Sequence, residues 1–403
     1  MAAILLAASC QDHPAQQQTP DPAAVPAPYP KGSFGYDIDF LRRHDSVIVL
    51  SSGQGKAQVI VSPKYQAKVF TSTADGNGGH SFGWINYKAF TGSLDSHMNA
   101  YGGENRIWLG PEGGRFSLFF PKDSPMLFQN WKTPAPFDTE AWKVTARNGQ
   151  SVSLQKDMQL VNYAGTNLSL SVERRIAILD RQTIDHDLGL TPDTTIKAVG
   201  YETFNTITNT GRQEWTGTTG MPCIWMLDMF PPSSSTVIIV PYKDGTGRIA
   251  TTNYFGEIPA DRIKYKDGFL LFKADGKSRG KLGINPKRAI AVAGSYDAQN
   301  KSLTLTMFDL GQDGKYLNQE WNTVKPPFSG DAVNAYNDGP LANGSQMGPF
   351  YEIESVSPAA FLLPGHSLLH KHDVFHFTGD EAALDKISRQ VVGISLDDVK
   401  EAF

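Results

Sequence analysis

The chain has 403 residues, with 37 Lys and Arg against 41 Asp and Glu, for a formal net charge of −4. A hydrophobic share of 40% with only 19% charged residues supports a large apolar core and excludes disorder as the dominant state. The balanced charge lacks the basic footprint of a nucleic-acid binder, so no nucleic-acid partner is expected. Two cysteines allow at most one disulfide.

Residues 1–10 read as a lipoprotein signal. The apolar run Ala2–Ala8 ends in Ser9 and Cys10, and small residues before such a cysteine mark it as the lipidation site. The run is much shorter than the roughly 20 residues of a membrane span. It lacks a leading Lys or Arg, and Ala7 stands where Leu is more usual, so a buried cysteine near a ragged end is the alternative. Residues 11–31 are rich in Pro, Ala and Gln and read as a disordered linker. The expected membrane partner is therefore reached through an N-terminal lipid anchor. With Cys10 lipidated, Cys223 is left as a lone thiol of the kind usually buried.

Residues 32–403 read as one all-β domain. Strand-like runs follow at Ser46–Leu50, Ala57–Val61, Lys68–Thr71, Ser151–Val161, Leu168–Ile178, Thr236–Tyr242, Phe269–Phe272, Ala289–Ala293 and Ser302–Phe308, most of them bounded by turn residues. No Gly-x-Gly-x-x-Gly opens a helix, and strands do not alternate with long helical periods, which disfavours a parallel α/β sheet. Two short C-terminal helices are expected. Gly379–Val391 carries Ala383, Leu384, Ile387 and Val391 at helical spacing, and Ser395 is placed to cap Leu396–Ala402.

Two segments carry a family resemblance. In Tyr101–Phe116 (YGGENRIWLGPEGGRF), Asn105, Arg106 and Ile107 precede Glu112, Gly113 and Gly114. In Tyr351–Pro358 (YEIESVSP), a strand with Glu352 and Glu354 leads to Leu363–Gly365 and a closing strand that ends in Phe377. This pattern resembles the galactose mutarotase-like (aldose 1-epimerase) superfamily, and the loop Asn334–Pro340 adds a likeness to its bacterial lipoprotein branch. The resemblance implies an antiparallel β-supersandwich, a carbohydrate ligand and no cofactor. It also implies a Gram-negative cell-envelope location. By the same resemblance Arg106 binds sugar and Glu354 is the catalytic base. Two departures stand out: Glu112 replaces a family histidine, and Tyr201–Asn209 lacks a second one. The resemblance thus implies an epimerase-like enzyme, with a non-catalytic carbohydrate-binding lipoprotein as the alternative.

The chemistry of the residues gives a parallel reading. Arg106 offers fixed donors for hydroxyls, with Trp108 on the same strand face as an aromatic platform; a structural ion pair with Glu104 or Glu112 is the plainer alternative. Asn105 is assigned to the same clamp. Glu112 in its Pro-Glu-Gly-Gly turn is a candidate acid, and His80 in a Gly-rich loop is another. Glu352 and Glu354 share one strand face. Glu202, Glu352, Asn337 and Asp338 complete the expected substrate-binding set, and the loop Asn334–Asp338 contacts hydroxyls, holds Ca²⁺ or simply turns. His370, His372 and His376 fall on one strand face and read as the solvated side of an edge strand in preference to a zinc site. No metal is expected. Trp131, Trp142 and Trp321 fit the core as well as a sugar platform.

Overall fold

A computed structural model describes residues 29–311 and 314–403. The expected signal segment, Cys10 and most of the expected linker lie outside the described residues. The architecture is an antiparallel β-sandwich with few and short helices. A ten-stranded sheet runs in the order β11 (Ile263–Lys266), β12 (Phe269–Lys273), β10 (Thr236–Pro241), β14 (Val292–Asp297), β15 (Ser302–Phe308), β18 (Ser367–Gly379), β8 (Ile196–Asn209), β7 (Asn167–Ile178), β6 (Ser151–Val161) and β5 (Lys143–Arg147). Facing it is a five-stranded sheet of β13 (Gly280–Ile284), β16 (Val333–Asn337), β17 (Tyr351–Val356), β9 (Cys223–Phe230) and β4 (Arg106–Gly110). A third sheet joins β1 (Ile48–Ser52), β2 (Ala57–Ser62) and β3 (Lys68–Thr73).

The main apolar core fills the space between sheets, as inward-facing residues alternate with outward ones along each strand. A second core lies between the outer face of the large sheet and α2 (Arg181–Asp187), α3 (Glu381–Val391) and α4 (Leu396–Lys400). The two expected C-terminal helices form, and Ser395 caps the last through its side chain. The helix α1 (Phe34–Arg42) was not among the expected elements. Ser33 caps it, and Phe34, Ile38 and Leu41 bury its inner stripe. The strand expected at Ala289–Ala293 begins instead at Val292, because Ala289 makes only an isolated bridge to Tyr242.

The three histidines of β18 are neither solvated nor on an edge. β18 lies inside the large sheet, between β15 and β8, and all three imidazoles are fully buried between the sheets. His372 Nε2 meets Asp228 Oδ2 at 2.7 Å, and Ser355 Oγ bridges His370 and His372 at 2.8 Å each. His376 contacts Glu104 Oε1 at 3.0 Å and stacks flat on Phe82 at 4.2 Å. Burial lowers His370 to about 3, so that ring is neutral at physiological pH. Among the described residues no group of three His, Cys, Asp or Glu could hold a metal ion. His372 and His376 instead satisfy carboxylates that the sandwich buries, and His370 bonds the Ser355 hydroxyl. Cys223 is a free, buried thiol, and burial pushes its pKa up to about 12.

Candidate functional site

Side-chain alternation gives the five-stranded sheet two chemically different faces. One packs on the large sheet. The other carries Arg106 and Trp108 from β4, Trp225, Leu227 and Met229 from β9, Glu352 and Glu354 from β17, Tyr336 and Asn334 from β16, and Lys281 from β13. The register fixes two rows across the strands. Arg106 lies opposite Leu227, which lies opposite Glu354 and then Asn334; Met229 is followed by Glu352, Tyr336 and Lys281. Neighbouring strands are about 4.8 Å apart, so charged groups from distant sequence lie two strands apart within each row, and long side chains reach between the two rows.

A cleft of two adjoining lobes covers this face. The wide lobe has a volume of about 660 Å³, and Tyr254, Asp331, Asn334 and Asp338 line it. The narrow lobe, about 190 Å³, is lined by Arg106, Glu352 and the rings of Trp108, Trp131, Trp225 and Phe350. Glu112, Lys281, Trp321 and Tyr336 border both.

Two ion pairs form the floor. Arg106 donates to Glu352 Oε1 at 2.6 Å, with its guanidinium 5.2 Å over the Trp108 ring. Lys281 donates to Glu354 Oε2 at 2.8 Å, and the same oxygen accepts the Trp225 indole N–H at 2.8 Å. Glu354 is fully buried, yet its Oε1 has no hydrogen-bond partner; Arg106 Nε is likewise buried and unpartnered. Such orphans are costly unless something polar completes them.

Burial raises the Glu112 carboxyl above its ordinary value. Lys281 and the Trp321 indole oppose the shift, and Glu354 adds to it. Burial also raises Glu352, to about 8; Arg106 pulls the other way, and Glu354 pushes it further up. Asp331 is raised by burial too, against the hydrogen bond from the Tyr254 hydroxyl at 2.6 Å. A raised carboxyl keeps its proton to higher pH than an ordinary one, the property a general acid needs. Because Glu352 binds its proton more tightly in the folded chain than the free side chain does (4.5 against about 8), stability falls as pH rises through that interval. We expect Glu352→Gln to flatten this slope: between pH 5 and pH 8 the wild-type melting temperature should fall by about 2–5 °C more than the variant's in thermal scans.

Glu112 is positioned by a turn pinned to a second loop. Its amide donates to Gln319 Oε1 at 3.1 Å, and its carbonyl accepts from Ser117 Oγ. Gly113 is required by contact, since a Cβ there would lie 2.2 Å from the Glu320 carbonyl oxygen. We expect Gly113→Ala to cost about 1–3 kcal/mol in denaturant unfolding, and to weaken ligand binding by displacing Glu112 and Trp321.

The expected site residues divide cleanly. Arg106, Trp108, Glu112, Glu352 and Asp338 line the cleft, and Glu354 lies just under it. Asn105 does not share the clamp, because its alternation with Arg106 turns it to the opposite face. There its Nδ2 donates to Asp228 at 2.6 Å and its Oδ1 accepts from Arg174. Asn337 faces away from Tyr336 for the same reason and holds the loop at 276–278. Glu202 points to the outer face of the large sheet, beside Lys371 at 3.0 Å and Arg175 at 3.8 Å, since Tyr201 and Thr203 take the inward positions of β8. His80 does not line the cleft: its Gly-rich loop wraps the start of α1, with the Phe34 and Gly35 amides donating to Gly79 and Asn77. His97 stands behind the wall, donating through Nδ1 to the Trp131 carbonyl at 2.6 Å. Of the weighed tryptophans, Trp131 and Trp321 line the cleft, whereas Trp142 is core.

Lys281 and Trp225 were missed by sequence reasoning. The available signal for Lys281 is a lone charge inside Gly280–Ile284, a short strand otherwise of Gly and aliphatic residues. Trp225 sits in an apolar strand and gives no such signal.

Several solved structures resemble this one at low sequence identity. The Slr1438 protein from Synechocystis sp. PCC 6803 is 12% identical, with 83% of this chain and 96% of that chain covered at a TM-score of 0.50, a likeness of fold. A galactose mutarotase-like protein from Lactobacillus casei is 11% identical, covering 82% of this chain and 100% of its own at a TM-score of 0.48. A putative aldose 1-epimerase from Escherichia coli K12 is 13% identical, covering 82% and 98% at 0.47. No curated protein matches the sequence. The model of one family matches residues 32–403, nearly the whole chain, and the protein belongs to it: the family of unknown function DUF6786.

Proposed function

We propose that the cleft binds a carbohydrate and performs acid–base chemistry at the sugar's anomeric or a neighbouring carbon. The observation that carries this reading is the set of unpartnered buried atoms at the floor. Glu354 Oε1 is a free acceptor and Arg106 Nε a free donor, on strands separated only by β9, with Arg106 lining and Glu354 lying just beneath a cleft walled by aromatic rings. A saccharide offers the hydroxyls that complete such atoms and the C–H faces that pack on tryptophan. In this reading Glu112 is the acid, Glu354 the base and Arg106 the clamp. Lys281 takes the electrostatic place of the family histidine, neutralising Glu354 and facing Glu112.

One observation favours a second reading, a binding protein without turnover. Glu354 is fully buried and already accepts from both Lys281 and Trp225, which leaves a base little freedom to reach a proton. The experiment is to incubate the purified protein with a panel of sugars and oligosaccharides, following anomer exchange and product release by NMR. Exchange or release that is lost in Glu354→Gln supports the enzyme; binding with neither supports the alternative; no binding removes both. Export and lipid anchoring through Cys10 belong to the same proposal, and Cys10→Ser should move the protein from the membrane to the soluble fraction.

A further inference from the structure

We infer that the cleft takes an uncharged oligosaccharide of at least two rings, with the linkage between them seated where its two lobes meet. This rests on the reading of the cleft as a sugar site and adds the size and charge of the sugar. The narrow lobe is ringed by Trp108, Trp131, Trp225 and Phe350 around the Arg106–Glu352 pair, a lining suited to one ring's apolar faces. The wide lobe is more than three times as large and presents Tyr254, Asn334, Asp331 and Asp338, so one ring in the narrow lobe leaves it unfilled. Glu112 and Lys281 stand at the boundary, and a linkage crossing there brings its bridging oxygen beside Glu112.

The rim supplies an independent observation. Phe128 and Phe255 border both lobes yet are 61% and 43% exposed. Both are held in place: Phe128 stacks on His97 at 4.6 Å, and the Arg279 guanidinium lies 3.8 Å from the Phe255 centroid. Rigid rings left in water at the mouth of a cleft mark a surface that a ligand covers. The charge balance selects the ligand's class. Carboxyls of Glu112, Glu320, Asp331, Asp338 and Glu352 line the two lobes against only Arg106, Arg279 and Lys281. Arg106 and Lys281 are already paired with glutamates, and Arg279 donates to the Tyr336 hydroxyl at 3.3 Å. Only Arg279, exposed at the rim over Phe255, lacks a carboxylate partner, so a uronate or sulfate seated on the floor would add negative charge where both cations are already paired, whereas hydroxyls fit carboxyls and amides equally well.

The test is an array of uncharged, uronate-bearing and sulfated glycans of one to six rings, with the affinities of hits measured by calorimetry for the wild type, Phe128→Ala and Phe255→Ala. The expected hits are uncharged and bind at least tenfold tighter than their component monosaccharide. Each variant should lower oligosaccharide affinity roughly five- to tenfold, and more than it lowers monosaccharide affinity. Monosaccharides bound as tightly as oligomers, a preference for anionic glycans, or variants with unaltered oligosaccharide affinity would overturn this inference while leaving a sugar site standing. An array with no hit at all would overturn the sugar reading itself.

Discussion

Asp228→Ala is expected to lower the free energy of unfolding by about 3–5 kcal/mol, read from urea denaturation at neutral pH. Asp228 is fully buried behind the cleft floor and serves two partners, His372 through one oxygen and Asn105 through the other. Through Asn105 it also offsets Arg174, which is fully buried and whose Nε and Nη1 have no hydrogen-bond partner. Burial lowers Arg174 to about 10, with Tyr201 and Asp228 pulling it back up. Removing the carboxylate strands that guanidinium in a medium where an uncompensated charge is costly. Arg174→Met should cost less than half as much, because methionine fills the stem's volume and Asp228 keeps both of its own hydrogen bonds. Equal costs for the two variants would mean that packing, and not charge, dominates this layer.

The second large effect concerns Glu112. If it delivers a proton, Glu112→Gln should reduce turnover by about 10²- to 10⁴-fold while changing ligand affinity less than tenfold, since glutamine keeps the shape and the hydrogen bonds. The wild-type rate should decline on the alkaline side as the raised carboxyl loses its proton, and this limb should vanish in the residual activity of the variant. A variant with full turnover would remove Glu112 from the chemistry and leave it as a binding contact.

The sandwich and much of the strand pattern were legible in the chain, for a physical reason. Long half-buried strands such as Ser151–Val161 alternate along most of their length, whereas the five strands beneath the cleft are almost wholly buried and alternate little. Arg106 and Glu354 were reachable through motif resemblance, because each keeps its neighbours in sequence. The misplacements have two causes. Asn105 and Asn337 sit next to true lining residues, and in a strand the neighbour faces the other way. Glu202 and the three histidines depended on which strand is central and which face is inward, and neither follows from local pattern when a sheet has ten strands. Lys281 was invisible as a partner because its pairing with Glu354 spans 73 residues and depends on β13 lying two strands away from β17.

The most direct measurement is a crystal structure of the protein with the tightest-binding glycan from the array. The expected result is a sugar ring against Trp108 and Trp225, with a hydroxyl between Arg106 Nε and Glu354 Oε1 and a second ring reaching past Glu112. A glycan bound elsewhere on the surface, with this floor untouched, would contradict it.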